Sequence, residues 1–201
     1  MNLVESLIKE RWLKTPIIID AFRKIKRIDF LKKETKNLAE INEALPIGYG
    51  QTISQPLTVA FMMENLQPRA GQKILDIGSG SGWTTALLAQ IAGNKGKVIA
   101  VEIVSELKEF GEKNVSKYNF KNVEFICDDG SEGYKKEAPF DRILASASAE
   151  EIPELWKEQL KIGGRIVASV KNSIWTLVKK SENDFQEIEH SGFVFVPLVK
   201  R

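Results

Sequence analysis

Histidine and cysteine are nearly missing: His190 and Cys127 are the only ones in 201 residues. One cysteine excludes an intramolecular disulfide and suits a reducing compartment. The usual zinc ligand sets cannot be assembled from so few imidazoles and thiols, so no metal is expected. A serine nucleophile backed by a histidine base is disfavoured on the same count. An excess of one charge is missing too, with 29 Lys and Arg against 27 Asp and Glu, a net charge of +2. That balance makes no field that demands a nucleic-acid partner. No apolar run approaches the ~20 residues that span a bilayer. The opening MNLVESLIKERWLK is charged throughout, unlike a secretory leader. These absences predict a soluble cytoplasmic protein, without nucleic-acid or membrane partners, whose reactive group arrives on a cofactor.

The length suits one domain, and 43% hydrophobic residues suffice for a core without covalent staples. Within that domain we expect an N-terminal helical extension (1–45), a loop and helix (46–66) and a core (67–201). Apolar spacing predicts helices over 2–13 and 16–28, divided at Pro16. The basic run RKIKRIDFLKKETK, residues 23–36, is interleaved with apolar residues and acids and reads as a solvated helix face or surface arm. From Lys73 strands and helices alternate. KILDI, KVIAVEI, VEFICDD, FDRILASA and GRIVASV read as strands, and TTALLAQIA, SELKEFGEKNVSKYN and IPELWKEQL as helices. The tail adds two β runs with a turn near 181–184. This order predicts an α/β fold: a mostly parallel sheet with an antiparallel edge and helices on both faces. A ligand of such a sheet sits beyond the carboxyl ends of its strands.

The segment ILDIGSGSGW carries a strand into Gly78, Gly80 and Gly82 and then starts a helix. A dinucleotide loop, G-x-G-x-x-G, would put its third glycine where Trp83 stands. Asp76 precedes the loop, and a carboxylate there repels a pyrophosphate but receives an ammonium or sulfonium. The expected cofactor is therefore cationic and phosphate-free. Glu102 ends the next strand, where an acid accepts from both hydroxyls of a ribose. Asp129-Gly130 follows the third strand and offers an acceptor for the amine of an adenine. Each acid alone reads equally as an ordinary strand-end acid; their alignment at successive strand ends points to a site.

Residues 45–58, LPIGYGQTISQPLT, contain no charged side chain in a chain that is 28% charged. Ser54 before Gln55-Pro56 and an apolar run is also a good helix N-cap, so capping competes with a functional role for its hydroxyl. Tyr49 reads as packing or as pocket wall, and Trp83, Trp156 and Trp175 as packing.

The three acids match the way S-adenosyl-L-methionine is held in the Rossmann-like methyltransferases, which this region resembles. LPIGYGQTISQP, upstream of LDIGSGSG, closely resembles the signature of the protein-L-isoaspartate (D-aspartate) O-methyltransferase family. APFDRILASASAEEIPELWKEQLKIGGRIVASV resembles that family's fourth strand, helix and fifth strand, and FVFVPLV its terminal strand, so the likeness covers residues 16–199. It implies a Rossmann-like fold with a seven-stranded sheet and an S-adenosyl-L-methionine site at Asp76, Gly78, Ser79, Gly80, Gly82, Glu102, Asp129 and Gly130. The activity implied is methylation of the α-carboxylate of L-isoaspartyl residues in damaged proteins or peptides, which starts their repair through a succinimide. By the same resemblance Ser54 is the active-site hydroxyl, Thr52, Ile53 and Gln55 shape its wall, and Ser146 meets substrate. An anionic acceptor and an activated donor need orientation rather than a base, which suits the shortage of histidine. A monomer is expected.

Four places depart from the family's usual pattern: Glu40 and Asn42, Asp128 before Asp129-Gly130, Ser146 to Glu150, and Ser169-Val170-Lys171. They put substrate range in question more than cofactor use, and Lys171 reads either as an aid to carboxylate binding or as surface. A base-methylating enzyme would carry an Asn/Asp-Pro-Pro-aromatic motif where this chain has LASASAEE. A methyltransferase for another carboxylate or small molecule, and a non-catalytic S-adenosylmethionine-binding module, remain as alternatives.

Overall fold

Apolar residues at helical spacing open the chain, and a computed structural model describes residues 2–200 of it. Helix α1 (Leu3–Lys9) and α2 (Pro16–Lys24) come first, followed by two 3₁₀ turns at Arg27–Phe30 and Lys33–Leu38. Pro16 stands at the start of α2, where a missing N–H costs nothing. The hairpin β1 (Leu45–Gly48) and β2 (Gln51–Ile53) leads into α3 (Pro56–Leu66). Then the alternation sets in: β3 (Lys73–Ile77), α4 (Trp83–Ala92), β4 (Lys97–Glu102), α5 (Ser105–Ser116), β5 (Val123–Cys127), β6 (Phe140–Ala149), α6 (Glu154–Glu158) and β7 (Leu160–Val170). An antiparallel pair, β8 (Ser173–Ser181) and β9 (Asp184–Ser191), closes the sheet.

The sheet has seven strands in the order β5-β4-β3-β6-β7-β8-β9. The first five are parallel and the last two antiparallel. Strand β3 is central, because the chain first builds outward through β4 and β5 and then returns to add β6 on its other side. Ile74 packs with the core of α1 to α4, while its neighbour Leu75 packs with Phe140 and Trp156 on the opposite face. Burial on both faces is why these strands read as continuous apolar runs. The helices are unevenly shared: the second face is covered by α6 and by the 3₁₀ turns at Gly130–Glu132 and Lys135–Glu137. Helix α6 is shorter than IPELWKEQL suggested, because β7 takes over at Leu160. FVFVPLV is no strand of its own: it runs extended beside the end of β6, where Ser148 N donates to Val196 O and Leu198 N to Ser148 O.

The basic run departs most from expectation. It is neither a continuous helix nor wholly solvated, because Arg27 is only 5% exposed. Its Nη1 donates to the carbonyls of Ala39 (3.4 Å) and Ile41 (2.8 Å), and its Nη2 to those of Glu43 (2.6 Å) and Ser54 (3.4 Å). The guanidinium lies over the Trp83 ring, 5.6 Å from its centroid. Burial pulls its pKa down to about 10, against the opposing pull of Glu40, and it stays charged at neutral pH. One side chain thus joins the N-terminal segment, the acceptor loop and the first residue of α4. Replacing Arg27 by Met should keep volume but strand those carbonyls, costing about 2–4 kcal/mol of stability. Urea denaturation of the two proteins measures this.

Candidate active site

A cleft with about 760 Å³ of unfilled space, counting its open mouth, lies at the carboxyl ends of β3, β4 and β6. This is where an open parallel sheet parts, since β4 and β6 leave β3 in opposite directions. Gly78 to Ser81 and Glu102 form its floor side, Ile47, Gln51 and Thr52 of the hairpin one wall, and Val196 to Val199 another.

The glycine loop turns its amides inward. Gly78 N and Ser79 N donate to Val101 O, Gly80 N to Glu102 Oε2, and Gly82 N to Ser79 O. These four donors are spent on the protein and are not available to a pyrophosphate, which needs free main-chain N–H groups. Gly80, at φ +49°, sits where a Cβ would come 3.2 Å from Ile47 Cδ1, so the hairpin closes tightly on the loop. Gly82 lies outside the cleft lining. At φ +82° its missing Cβ lets α5 approach, since a methyl would stand 2.8 Å from Gly111 O.

Asp76 is wholly buried between the end of β3 and the first turn of α4. Thr84 and Thr85 hydroxyls both donate to its Oδ2, at 2.9 and 2.6 Å, while Oδ1 has no partner among the described residues. It is therefore not on the cleft surface as the sequence suggested: the two threonines draw it behind the loop. Burial pushes its pKa up to about 6, the threonine bonds oppose that, and the nearby charge of Glu102 adds to the rise.

Glu102 does line the cleft, with Oε2 accepting from Gly80 N at 2.9 Å and Oε1 from Val104 N at 3.0 Å. A carboxylate has about four acceptor sites, so two remain for a ligand diol. Asp129 stands one residue before the lining Gly130, and its Oδ1 accepts from Ser131 N. Trp156 Nε1 donates to Gly130 O and fixes that turn from the opposite face. An orphaned buried carboxylate oxygen, a carboxylate with spare acceptors and a glycine loop with four of its amides already bonded fit an adenosyl cofactor that is cationic and lacks phosphate.

On the other side of the cleft, the hydroxyl of Ser54 is not spent on capping α3. Asn42 Oδ1 accepts from Leu57 N instead, at 2.9 Å, and Gln55 turns away to donate to Asn42 O. Asn42, one of the departures from the family pattern, is the cap supplied from a distant loop. Glu40, another, accepts from Leu3 N and ties down α1. Thr52, Ser54 and Ser146 line both the cleft and a second groove, and Ile53 lines the cleft alone. That groove holds about 1330 Å³ and runs between Glu43–Ala44 and the segment Gly192–Pro197. The hydroxyl of Ser146 is buried and has no partner among the described residues. Tyr49 stands exposed at the hairpin tip with φ +56°. Lys171 lies elsewhere, in the β7–β8 turn, lining a depression with Glu150, Glu187 and Glu189.

Sequence reasoning passed over Val196 to Val199, Ile103-Val104 and the capping by Asn42. The first two are apolar backbone segments without a motif, and the third depends on a contact that only folding brings about.

Asp76 also sets a pH dependence. Below its ordinary value of 3.8 both folded and unfolded states hold the proton, and above about 6 neither does. Between the two only the folded state is protonated, so raising pH through that window removes stability, about 3 kcal/mol in all. Denaturation free energies from pH 3.5 to 7 should show this fall in the ligand-free protein and lose it in Asp76→Asn.

Residues 1–201 match the family described as protein-L-isoaspartate(D-aspartate) O-methyltransferase (PCMT). A protein-L-isoaspartate O-methyltransferase of Methanopyrus kandleri is 38% identical over 98% of this chain and 90% of its own. Protein-L-isoaspartate O-methyltransferase 2 of Archaeoglobus fulgidus is 44% identical over 90% of this chain and 84% of its own. Among solved structures, a Plasmodium falciparum protein described as a beta-aspartate methyltransferase (PCMT), in complex with S-adenosyl-L-homocysteine, superposes with a TM-score of 0.89 at 23% identity, covering 99% of this chain and 97% of that one. A protein-L-isoaspartate O-methyltransferase reaches 0.88 at 28% identity over 97% of this chain and 64% of its own. With the fold and the family match in agreement along the whole chain, the protein belongs to the protein-L-isoaspartate (D-aspartate) O-methyltransferase family.

Proposed function

We propose that this chain methylates the α-carboxylate of L-isoaspartyl residues at the line where the cofactor cleft meets the second groove. Family membership assigns the reaction, with S-adenosyl-L-methionine as donor. The observation that carries the placement is that Thr52, Ser54 and Ser146 belong to both spaces, so three hydroxyls and no charge stand at the junction.

S-adenosyl-L-methionine supplies, when bound, a methyl carbon attached to a positively charged sulfur that leaves as a neutral thioether. Glu102 would hold the ribose hydroxyls through its two spare acceptor sites, and Asp129 would take the adenine amine beside Gly130. Gly78, Ser79 and Gly80 give the cofactor a flat surface; Gly82 acts at one remove, by seating α4 on α5. Asp76 contributes a buried negative charge near the loop rather than a direct contact. On the acceptor side Ser54 and Ser146 donate to the substrate carboxylate and aim one oxygen at the methyl carbon. Thr52 and Ile53 shape that wall, and Gln55 holds it against Asn42.

An α-carboxyl ionises near pH 3.5, so the acceptor is already anionic and no group need remove a proton. A lysine or arginine at the junction would hold the carboxylate more tightly and also lower its nucleophilicity. Neutral hydroxyls orient it with a smaller ground-state stabilisation, so more of the interaction serves the transition state. The residues here would only orient the carboxylate oxygen toward the methyl group that S-adenosyl-L-methionine would supply. In the released ester the backbone amide nitrogen would then displace methanol to close a succinimide, whose hydrolysis yields normal aspartyl in part. The acceptors are isoaspartyl-containing proteins or peptides. No helix among the described residues is long and apolar enough to cross a membrane.

Labelled S-adenosyl-L-methionine with matched isoaspartyl and aspartyl peptides tests the reaction: label should enter only the isoaspartyl peptide. Ser54→Ala should lower kcat/KM about ten- to a hundredfold, the worth of one hydrogen bond to a charged group. Because Asn42 caps α3, the same variant should hold its stability within about 0.5 kcal/mol. Asn42→Ala should lose about 1 kcal/mol. A Ser54→Ala protein that loses stability and keeps full activity would return the hydroxyl to a capping role.

A further inference from the structure

Asp76 is a buried carboxyl without a counter-ion. It makes no ion pair among the described residues, and its Oδ1 has no partner there. The elements packed against β3 bring no cation to it. Ala100 of β4 and Leu144 of β6 stand opposite Asp76, and α4 contains no ionisable residue. The other charges of those strands are engaged nearer their amino ends: Lys97 with Glu124 and Glu137, Asp141 with Lys161, and Arg142 with the carbonyls of Gln67 and Asp141. Arg27, over Trp83, binds carbonyls. Glu102, at the end of β4, acts on Asp76 with the same sign of charge. A buried charge in this position calls for neutralisation, by a proton or by a cation from outside the chain. The cleft is close at hand, since Ile77 lines it and so does Thr84, whose hydroxyl donates to Asp76.

We infer that Asp76 distinguishes S-adenosyl-L-methionine from S-adenosyl-L-homocysteine by a proton, which it releases to solvent when a sulfonium occupies the cleft and keeps when a thioether does. The inference rests on the cofactor reading given above. The two molecules share their adenosine, amino and carboxylate groups and differ by one methyl and its positive charge. Glu102 would meet the ribose that both carry, so it drops out of the comparison. Ionised Asp76 attracts a sulfonium through a wall of low dielectric and gains nothing from a neutral sulfur. Without ligand the group titrates at about 6, raised chiefly by burial. A nearby cation favours the ionised form, so affinity for the donor is lost as pH falls through that value, while affinity for the product is kept. Acidification therefore shifts the enzyme towards inhibition by its own product.

The test is titration calorimetry of the whole chain with each molecule, in pairs of buffers that differ in ionisation enthalpy, which counts protons. At pH 5.5 S-adenosyl-L-methionine should release roughly half a proton or more per site, and S-adenosyl-L-homocysteine close to none. The ratio of their Kd values, donor over product, should rise about three- to tenfold from pH 7 to pH 5. Asp76→Asn should abolish the difference in proton release and leave the ratio independent of pH. Thr85→Val removes a donor to the ionised carboxylate and should move the change in ratio to higher pH. The one histidine, His190, stands on β9, separated from β3 by three strands, and is kept in both variants. The wild-type proton count needs no variant, so it decides the matter even where Asp76→Asn fails to fold. Equal proton release by the two molecules, or a difference that survives in Asp76→Asn, would overturn the inference and leave the methyltransferase reading intact. Failure of both molecules to bind would overturn the cofactor site as well.

Discussion

Arg27 brings a full positive charge into the interior where no carboxylate among the described residues reaches it within ion-pair distance, and backbone carbonyls take the place of a counter-ion. Those carbonyls come from segments that have little regular structure to hold them. The chain from Ala39 to Glu43 is neither helix nor strand, and Ser54 sits between a three-residue strand and a helix. Charged hydrogen bonds are stronger than neutral ones, so one guanidinium holds the irregular segments on either side of the β1–β2 hairpin in place. Its face rests on Trp83, which begins α4 and lines the cleft. The acceptor wall and the cofactor floor are thereby tied to one side chain.

That arrangement keeps charge behind the reaction centre and out of it. The positive charge of Arg27 is absorbed by carbonyls, the negative charge of Asp76 is buried under two threonines, and Glu102 is half used by main-chain N–H groups. What remains at the junction of cleft and groove is three hydroxyls beside Val196 and Pro197. A reaction between an anion and a sulfonium needs little else, since both partners bring their charges with them. The site's work is orientation and the exclusion of water.

The alternation from Lys73 onward, the glycine loop and the strand-end acids were all legible, because each depends on local pattern: buried strands read as apolar runs, and a tight turn into a helix calls for glycine. The positions of Gly78, Ser79, Gly80, Glu102 and Gly130 on the cleft follow from where strands end. Asp76 was legible as an acid beside the loop but not as a buried one, because Thr84 and Thr85 approach it only once α4 has wound. Ser54-Gln55-Pro56 read as a helix start, correctly, yet the cap proved to be Asn42, whose side chain arrives from a loop thirteen residues from Gln55. The basic run misled for a related reason: charge density along the chain gives no sign that one arginine in it will find carbonyls to bind.

By itself, then, the amino-acid sequence determined the sheet's strands, the crevice at their carboxyl ends, and the preference for a cofactor without phosphate. These rest on periodicity and on residue types at adjacent positions, which act before the chain has folded. Only the tertiary structure decided which hydroxyls stay free and which acid is buried. Those outcomes depend on segments far apart in sequence meeting at distances of about 3 Å, where hydrogen bonds form or fail.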